Sequence, residues 1–307
     1  MHRRFQTLAV KWFVPAVAVL IGLLAAQNGL AAEPAGQPHV YKSVGGQDLV
    51  LYVTRPPGWR ATDRRPAILF FHGGSWRGGA PGQFTHHATY LASRGMVAVQ
   101  VQYRLLDKAS SEPPTACVQD ARSAMRWVRS RADELGIDPD RIASAGGSAG
   151  GHLAASLGMI EGHDDPEDDL SVPVQSNAMV LFNPIIDVSP DGWQPGYERV
   201  GDRYPDYSPI HNIGTGTPPA VMFFGTEDTA TSVATIERFR LEMHEAGVRC
   251  DVVMFEGMEH GFFNHTKHDG QPFYETLLAT DVFLTSLGWL DGPPTLETPA
   301  RSTADRK

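Results

Sequence analysis

The sequence predicts an α/β protein built on a mostly parallel central sheet flanked by helices. Two observations carry that reading. Short strand-like runs alternate with amphipathic stretches along most of the chain, and most of those runs are continuously apolar, as strands covered on both faces by helices are. In order, the strand-like runs are Asp48 to Thr54, Ala67 to Phe71, Met96 to Tyr103, Arg141 to Ala145, Ala178 to Asn183, Ala220 to Phe224 and Asp251 to Phe255. Between them, Cys117, Ala121, Ala124, Met125, Val128, Ala132 and Leu135 recur at helical spacing, as do Val233, Ile236, Phe239, Met243 and Ala246. Both stripes have the period of a core-facing helix side. The segment 184–217 breaks the rhythm with many Pro and Gly residues and the aromatics Trp193, Tyr197, Tyr204 and Tyr207. It is too long for a plain connector and predicts a functional insertion over a site.

The two ends differ from the body. Arg3, Arg4 and Lys11 precede an apolar run from Trp12 to Ala26 that ends in Gly29, Leu30, Ala31 and Ala32, the pattern of a secretory signal peptide over residues 1–32. Pro15 interrupts the run, which is shorter than the roughly 20 apolar residues a spanning helix needs, so no membrane span is expected after cleavage. The expected location is secreted or periplasmic. Residues 33–290 then form the expected catalytic domain, and residues 291–307, rich in Pro, Thr and charge, are expected to be a disordered tail. Loss of the leader, which holds Arg3, Arg4 and Lys11 and no acid, would move the formal charge from -9 to -12. An acidic surface of that kind repels polyanions, which argues against a nucleic-acid partner. The two cysteines, Cys117 and Cys250, exclude a disulfide-rich scaffold. Cys117 opens a helix and Cys250 starts a strand at opposite ends of the sheet, so two unpaired buried thiols are expected.

The chemistry concentrates in three places. Gly146, Gly147, Ser148, Ala149 and Gly150 follow one strand-like run and precede an apolar helix beginning near His152, which puts a G-x-S-x-G pattern in a strand, turn and helix setting. Such a turn strains the serine and exposes its hydroxyl, and flanking side chains would collide with neighbouring backbone. Phosphate-loop readings fail, because no G-K-[ST] ending is present and Ser148 and Ala149 stand where G-x-G-x-x-G needs glycine. Upstream, His72, Gly73, Gly74, Ser75 and Trp76 follow the run Ala67 to Phe71. Backbone amides of Gly73, Gly74 and Ser75, with that of Ala149, are candidates for an oxyanion hole, and His72 is read as structural. His260 stands after the last strand-like run and Asp228 just past the penultimate one. Twelve histidines make any one weak alone, but the order Ser, Asp, His, each after a strand, selects His260 as base and Asp228 as the orienting acid, with Glu227 as the alternative.

These residue types describe acyl transfer. His260 takes the Ser148 proton as the hydroxyl attacks a carbonyl, then protonates the leaving group, while Asp228 stabilises the imidazolium. Water resolves the acyl-enzyme, and no cofactor is called for. Trp76, Trp193 and Tyr197 are candidate substrate contacts. The acidic run Asp164, Asp165, Glu167, Asp168 and Asp169 lacks the spaced ligands of a calcium loop and is expected to be solvated. His260, His265 and His268 fit no closed zinc spacing, and no metal is expected.

With these residues in place, the chain resembles the α/β-hydrolase superfamily. Within it, the chain is similar to the secreted acetyl esterases and carboxylesterases that include bifunctional feruloyl and acetyl-xylan esterases. The resemblance runs from about Val40 to Leu290 and rests on HGGSW from His72, GGSAGGH from Gly146, NPIID from Asn183, GTED from Gly225 and EHGFF from Glu259. It implies an α/β-hydrolase fold with a cap-like insertion after the sixth strand, and a short acyl ester or acylated carbohydrate as substrate. Hormone-sensitive-lipase-like esterases carry a third glycine after the histidine and an acid before the serine, where this chain has Ser75 and Gly147. Those departures lean to the feruloyl and acetyl-xylan type or to the related kynurenine formamidases. An amidase with the same triad and a non-catalytic binding protein on this scaffold stand as the competing readings.

Overall fold

The computed structural model describes residues 32–297, so the expected leader, apart from Ala32, and the expected tail from residue 298 lie outside the described residues. In chain order the elements are β1 (Gln37–Val44), β2 (Gln47–Thr54), β3 (Arg65–Phe71), α1 (Thr85–Ser93), β4 (Val97–Val101), α2 (Thr115–Ser130), α3 (Ala132–Leu135) and β5 (Ile137–Gly147). Then come α4 (Ala149–Met159), β6 (Ala178–Phe182), α5 (Gln194–Val200), β7 (Ala220–Gly225), α6 (Val233–Glu245), β8 (Cys250–Phe255) and α7 (Gln271–Ser286). The strands form one eight-stranded sheet in the order β1-β2-β4-β3-β5-β6-β7-β8. Strands β3 to β8 run parallel, and β2 is antiparallel to both β1 and β4.

Side chains along a strand point alternately to opposite faces, and here both faces are covered. Leu69, Phe71, Val97, Val99 and Val101 join a core with α2, α4 and α6, while Ile68, Phe70, Ala98, Val180 and Phe182 join a second core with α1 and α7. Every residue of β4, β6 and β7 is buried, which explains why their sequences read as apolar runs apart from Gln100 of β4. Strand β1 escaped sequence reasoning because only Tyr41 in it is buried. It is held by pairing with β2 through the two-residue turn Gly45-Gly46, whose φ values of 60° and 77° suit the tight hairpins glycine favours. Strand β5 starts earlier than the run at Arg141, passing a register shift near Pro139 where the proline needs no ladder partner.

Three expectations need correction. The acidic run is not a solvated loop: Asp164 accepts from Arg122 and Arg126 at 2.8 and 2.6 Å, Asp168 pairs with Arg126 at 3.1 Å, and Asp165 pairs with Lys42 at 2.6 Å. The cause lies in α2, which buries Arg122 and Arg126 and therefore needs carboxylates beside them. Only Glu167 and Asp169 face water. Residues 291–297 are held against the body, since Arg94 donates to the carbonyls of Asp291 and Gly292 at 3.1 Å while pairing with the buried Asp281 at 2.7 Å, and Leu296 packs on the second core. Of the two free thiols, Cys117 is buried but Cys250, on the edge strand β8, is only half-buried. Burial raises each to about 12.

Burial also holds three imidazoles neutral. His72 and His152 are lowered to about 4 and His87 to about 3, against an ordinary value of 6.5. The unfolded chain binds these protons more readily, so the stability they contribute is complete above pH 6.5 and is lost as the pH falls towards 4. His87 lies among Phe70, Phe84, Phe182, Phe263 and Phe273, and neither ring nitrogen has a hydrogen-bond partner among the described residues. Replacing it by phenylalanine removes two unpaired buried polar atoms and one acid-sensitive group. His87→Phe is expected to raise the melting temperature at neutral pH by about 2–4 °C and to flatten its fall below pH 6.5, as read by scanning calorimetry. An unchanged acid slope would remove His87 from the groups responsible.

Candidate active site

All the chemistry-bearing loops leave the same edge of the sheet, because they follow the C-terminal ends of parallel strands. The loop from His72 follows β3, Ser148 follows β5, Asn183 follows β6, Asp228 follows β7 and His260 follows β8. Ser148 has φ 55° and ψ -121° and stands immediately before α4. Its amide donates to the Phe182 carbonyl at 3.0 Å, and its own carbonyl accepts from His152 and Ile185 at 3.0 and 3.3 Å. The flanking positions admit no side chain: a Cβ on Gly147 would lie 2.4 Å from the Phe263 ring, and one on Gly150 would lie 2.0 Å from the Phe71 carbonyl oxygen.

The structure brings Ser148, His260 and Asp228 into one line. His260 Nε2 is 2.8 Å from Ser148 Oγ, and its Nδ1 is 2.7 Å from Asp228 Oδ2. A carboxylate can only accept, so Nδ1 carries the ring proton and Nε2 is free to accept the hydroxyl's. The Asp228 side chain is fully buried and its second oxygen accepts from the amides of Ala230 and Thr231 at 2.8 and 3.2 Å. His260 keeps 29% of its side chain exposed, which leaves the ring open to a substrate. Glu227 points to solvent, and its amide is bonded to the Met258 carbonyl. His265 stacks on His86 at 4.2 Å and His268 bonds Glu259 at 2.8 Å, so the three histidines of this loop go to three different partners.

The loop expected to offer an oxyanion hole needs one correction. The Gly73 amide donates to Gln83 Oε1 at 2.7 Å and is therefore committed, which leaves the amides of Gly74, Ser75 and Ala149. Ala149 is the first residue of α4, where the helix itself offers its amide no partner. Positive φ at Gly74, Ser75 and Trp76, of 117°, 53° and 60°, curls the loop, and the amides of Arg77 and Gly78 close it on the Gly74 carbonyl. His72 braces it: Nδ1 donates to the Gly73 carbonyl at 2.8 Å, and the ring stacks on Tyr103, whose hydroxyl donates to the His72 carbonyl.

Among the expected substrate contacts, Trp76 is 1% exposed, enclosed by His152 and Trp193 at 5.0 and 5.7 Å between ring centroids, and so offers no surface to a ligand. Trp193 is half-buried and lines a cleft of about 150 Å³ with Asp187, Asp191, Thr229, Thr231 and Ser232. Tyr197 faces Tyr204 and is not part of that lining. Larger hollows of about 450 and 410 Å³ run along β8 and α7 and contain none of the three aligned residues. Sequence reasoning also passed over Asn183 as a site residue. Buried, at φ 32°, it accepts from the Gly261 amide at 3.1 Å and sets its Nδ2 3.4 Å from His260 Nε2. The available signal was an amide side chain closing the apolar run of β6.

Two family models divide the chain between them. The model described as BD-FAE matches residues 55–191, and that of the dienelactone hydrolase family matches residues 200–290. Among solved structures, apo Thermogutta terrifontis esterase 2 is 43% identical with a TM-score of 0.80, covering 84% of this chain and 97% of that one. Carboxylesterase NlhH of Mycobacterium tuberculosis is 29% identical over 242 residues, 72% of this chain and 73% of its own. Ethyl acetate hydrolase of Pseudomonas putida is 27% identical over 245 residues, 71% of this chain and 72% of its own. With the sheet, the loops and these matches together, the chain belongs to the α/β-hydrolase superfamily and is a serine carboxylic ester hydrolase.

Proposed function

We propose that this esterase is exported and removes short acyl groups, with acetyl esters on polysaccharide or oligosaccharide as its natural targets, through an acyl-enzyme on Ser148. The observation that carries the mechanism is the line of hydrogen bonds from Asp228 through His260 to Ser148 Oγ. His260 Nε2 takes the hydroxyl proton as Oγ attacks the ester carbonyl, and the imidazolium so formed is stabilised by the buried Asp228 carboxylate. The carbonyl oxygen, now negative, is met by the amides of Gly74, Ser75 and Ala149, an arrangement worth roughly 3–4 kcal/mol per donor in acyl transfer. His260 then protonates the departing alcohol, and the same steps with water release the acid.

Short acyl groups are supported by the relatives: Thermogutta terrifontis esterase 2 has been solved with propionate bound and with butyrate bound, and the Pseudomonas putida relative is named for ethyl acetate. A sugar alcohol is supported by the Trp193 cleft, where an aromatic wall stands among carboxylates and hydroxyls able to bond ring hydroxyls. The leader-like N-terminus supports export, since polymers are met outside the cytoplasm.

The full protein and Ser148→Ala are to be assayed on p-nitrophenyl acetate, butyrate and octanoate and on acetylated xylan. Wild type is expected to favour the two shorter esters and to release acetate from xylan, with Ser148→Ala down by more than about 10⁴-fold. Activity on the small esters without acetate release would leave the esterase and withdraw the polysaccharide. Because Thermogutta terrifontis esterase 2 has been solved phosphorylated by paraoxon, paraoxon should add one phosphoryl group to Ser148 here and none to Ser148→Ala, as read by intact mass. N-terminal sequencing of exported protein should begin just after Ala32.

A second set of variants separates the acids. Asp228→Asn is expected to lower kcat by about 10⁴-fold, since its amide nitrogen would donate to Nδ1 where the imidazole needs an acceptor, while Glu227→Gln stays within about twofold. Asn183→Ala, which frees the Gly261 amide, is expected to cost about 10-fold in kcat. Equal losses in the Asp228 and Glu227 variants would assign the acid wrongly.

A further inference from the structure

Gln83 sits in a short 3-10 turn, Pro81–Phe84, between the His72 loop and α1. Its side chain reaches two loops far apart in sequence. Oε1 accepts from the Gly73 amide at 2.7 Å, and Nε2 donates to Asn264 Oδ1 at 2.9 Å. Asn264 Nδ2 in turn donates to the Gly261 carbonyl at 2.8 Å, next to His260. The direction of every bond is forced. A backbone amide can only donate, so Oε1 must face Gly73; Nε2 must then face Asn264, whose oxygen must accept, which leaves its nitrogen for the Gly261 carbonyl. Turning either amide over would set two donors or two acceptors against each other.

We infer from this geometry that Gln83 is a positioning residue that holds the oxyanion loop in register with the histidine loop, acting through Asn264. The inference rests on the reading of Ser148 as nucleophile. Gly73 is pinned on both sides, its amide by Gln83 and its carbonyl by His72 Nδ1 at 2.8 Å. The amides of Gly74 and Ser75 follow directly, so their aim depends on that peptide. Gly73 also lies against the nucleophile, since a Cβ there would stand 3.4 Å from Ser148 Cβ and 3.0 Å from the Gly147 carbonyl oxygen. At its other end the chain of amides grips Gly261, whose own amide is held by Asn183 at 3.1 Å. One side chain thereby couples the donors that meet the negative oxygen to the base that moves the proton. Both must be placed to within about 0.5 Å for efficient transfer.

The surrounding contacts make the variants informative. Phe84 stacks near Phe263 at 5.8 Å and His86 stacks on His265 at 4.2 Å, so the two segments remain packed together when the amide link is cut. Gln83→Met keeps length and removes both hydrogen bonds. It is expected to lower kcat on p-nitrophenyl acetate by about 10–100-fold, with KM within about twofold, and to weaken inhibition by phenylboronic acid by the same factor. That inhibitor forms a bond from Ser148 Oγ to boron and so reports the tetrahedral state. Asn264→Ala should lose a similar amount, and the double variant no more than the worse single one, because both cut one link. Gln83→Glu keeps the acceptor for Gly73 but cannot donate to Asn264, and is expected to match Asn264→Ala.

Unchanged kcat and boronate affinity in Gln83→Met, with only a shifted melting temperature, would overturn the inference and leave the triad standing. Independent, additive losses in the double variant would overturn it too. Should Ser148→Ala retain the wild-type rate, the nucleophile assignment and this inference fall together, so the two failures are told apart by that control.

Discussion

Ser148 leaves β5 with φ 55° and ψ -121°, a conformation that costs an L-residue of order 1–3 kcal/mol, and the packing around it closes off relaxation. Its amide is taken by β6 through Phe182, and its carbonyl is shared between α4 and the residue after Pro184. Side chains are barred on either side by the Phe263 ring and the Phe71 carbonyl. That constraint fixes much else. The serine needs a strand with neighbours on both sides, and β5 lies between β3 and β6. Those neighbours deliver, at the same edge, the loop whose amides can meet an oxyanion and the asparagine that holds the histidine loop.

Environment sorts the histidines into separate trades. His72, His87 and His152 are buried and held neutral, and His72 and His152 serve as fixed donors to backbone carbonyls, the former to Gly73 and the latter to Tyr207. Among the described residues, His260 alone combines partial exposure with a fully buried carboxylate on one nitrogen and a serine hydroxyl on the other. A neutral buried imidazole does structural work at any pH above its lowered range. The charged network of Lys42, Arg122, Arg126 and their carboxylates is a different case, where buried arginines on α2 dictate the fold of an otherwise polar loop.

The insertion between β6 and β7 packs against these parts. Tyr207 and Ile210 are buried on the body, and the Tyr207 carbonyl accepts from His152 of α4. At its other end Trp193 lies on Trp76 of the loop after β3 and lines the cleft beside the turn that follows Asp228. Much of the aromatic content of this segment therefore serves to seat it, and Trp193 is the aromatic left facing a cleft.

Residues and spacing alone determined the parallel sheet and the family resemblance, and pointed to Ser148, Asp228 and His260 as the residues to be brought together, because continuous apolar runs and glycine-flanked turns are local consequences of what a buried strand and a strained elbow require. Strand β1 stayed hidden since an edge strand with one buried residue carries no periodic signal. The destination of the Gly73 amide, the enclosure of Trp76 and the ion pairs of the acidic run were decided only by tertiary structure. Each depends on a partner brought from far along the chain, Gln83 and Asn264 for one, Trp193 for another, Arg122 and Arg126 for the third. Hydrogen bonds and burial are properties of pairs in space, and a sequence read one residue at a time names the groups without naming who meets them.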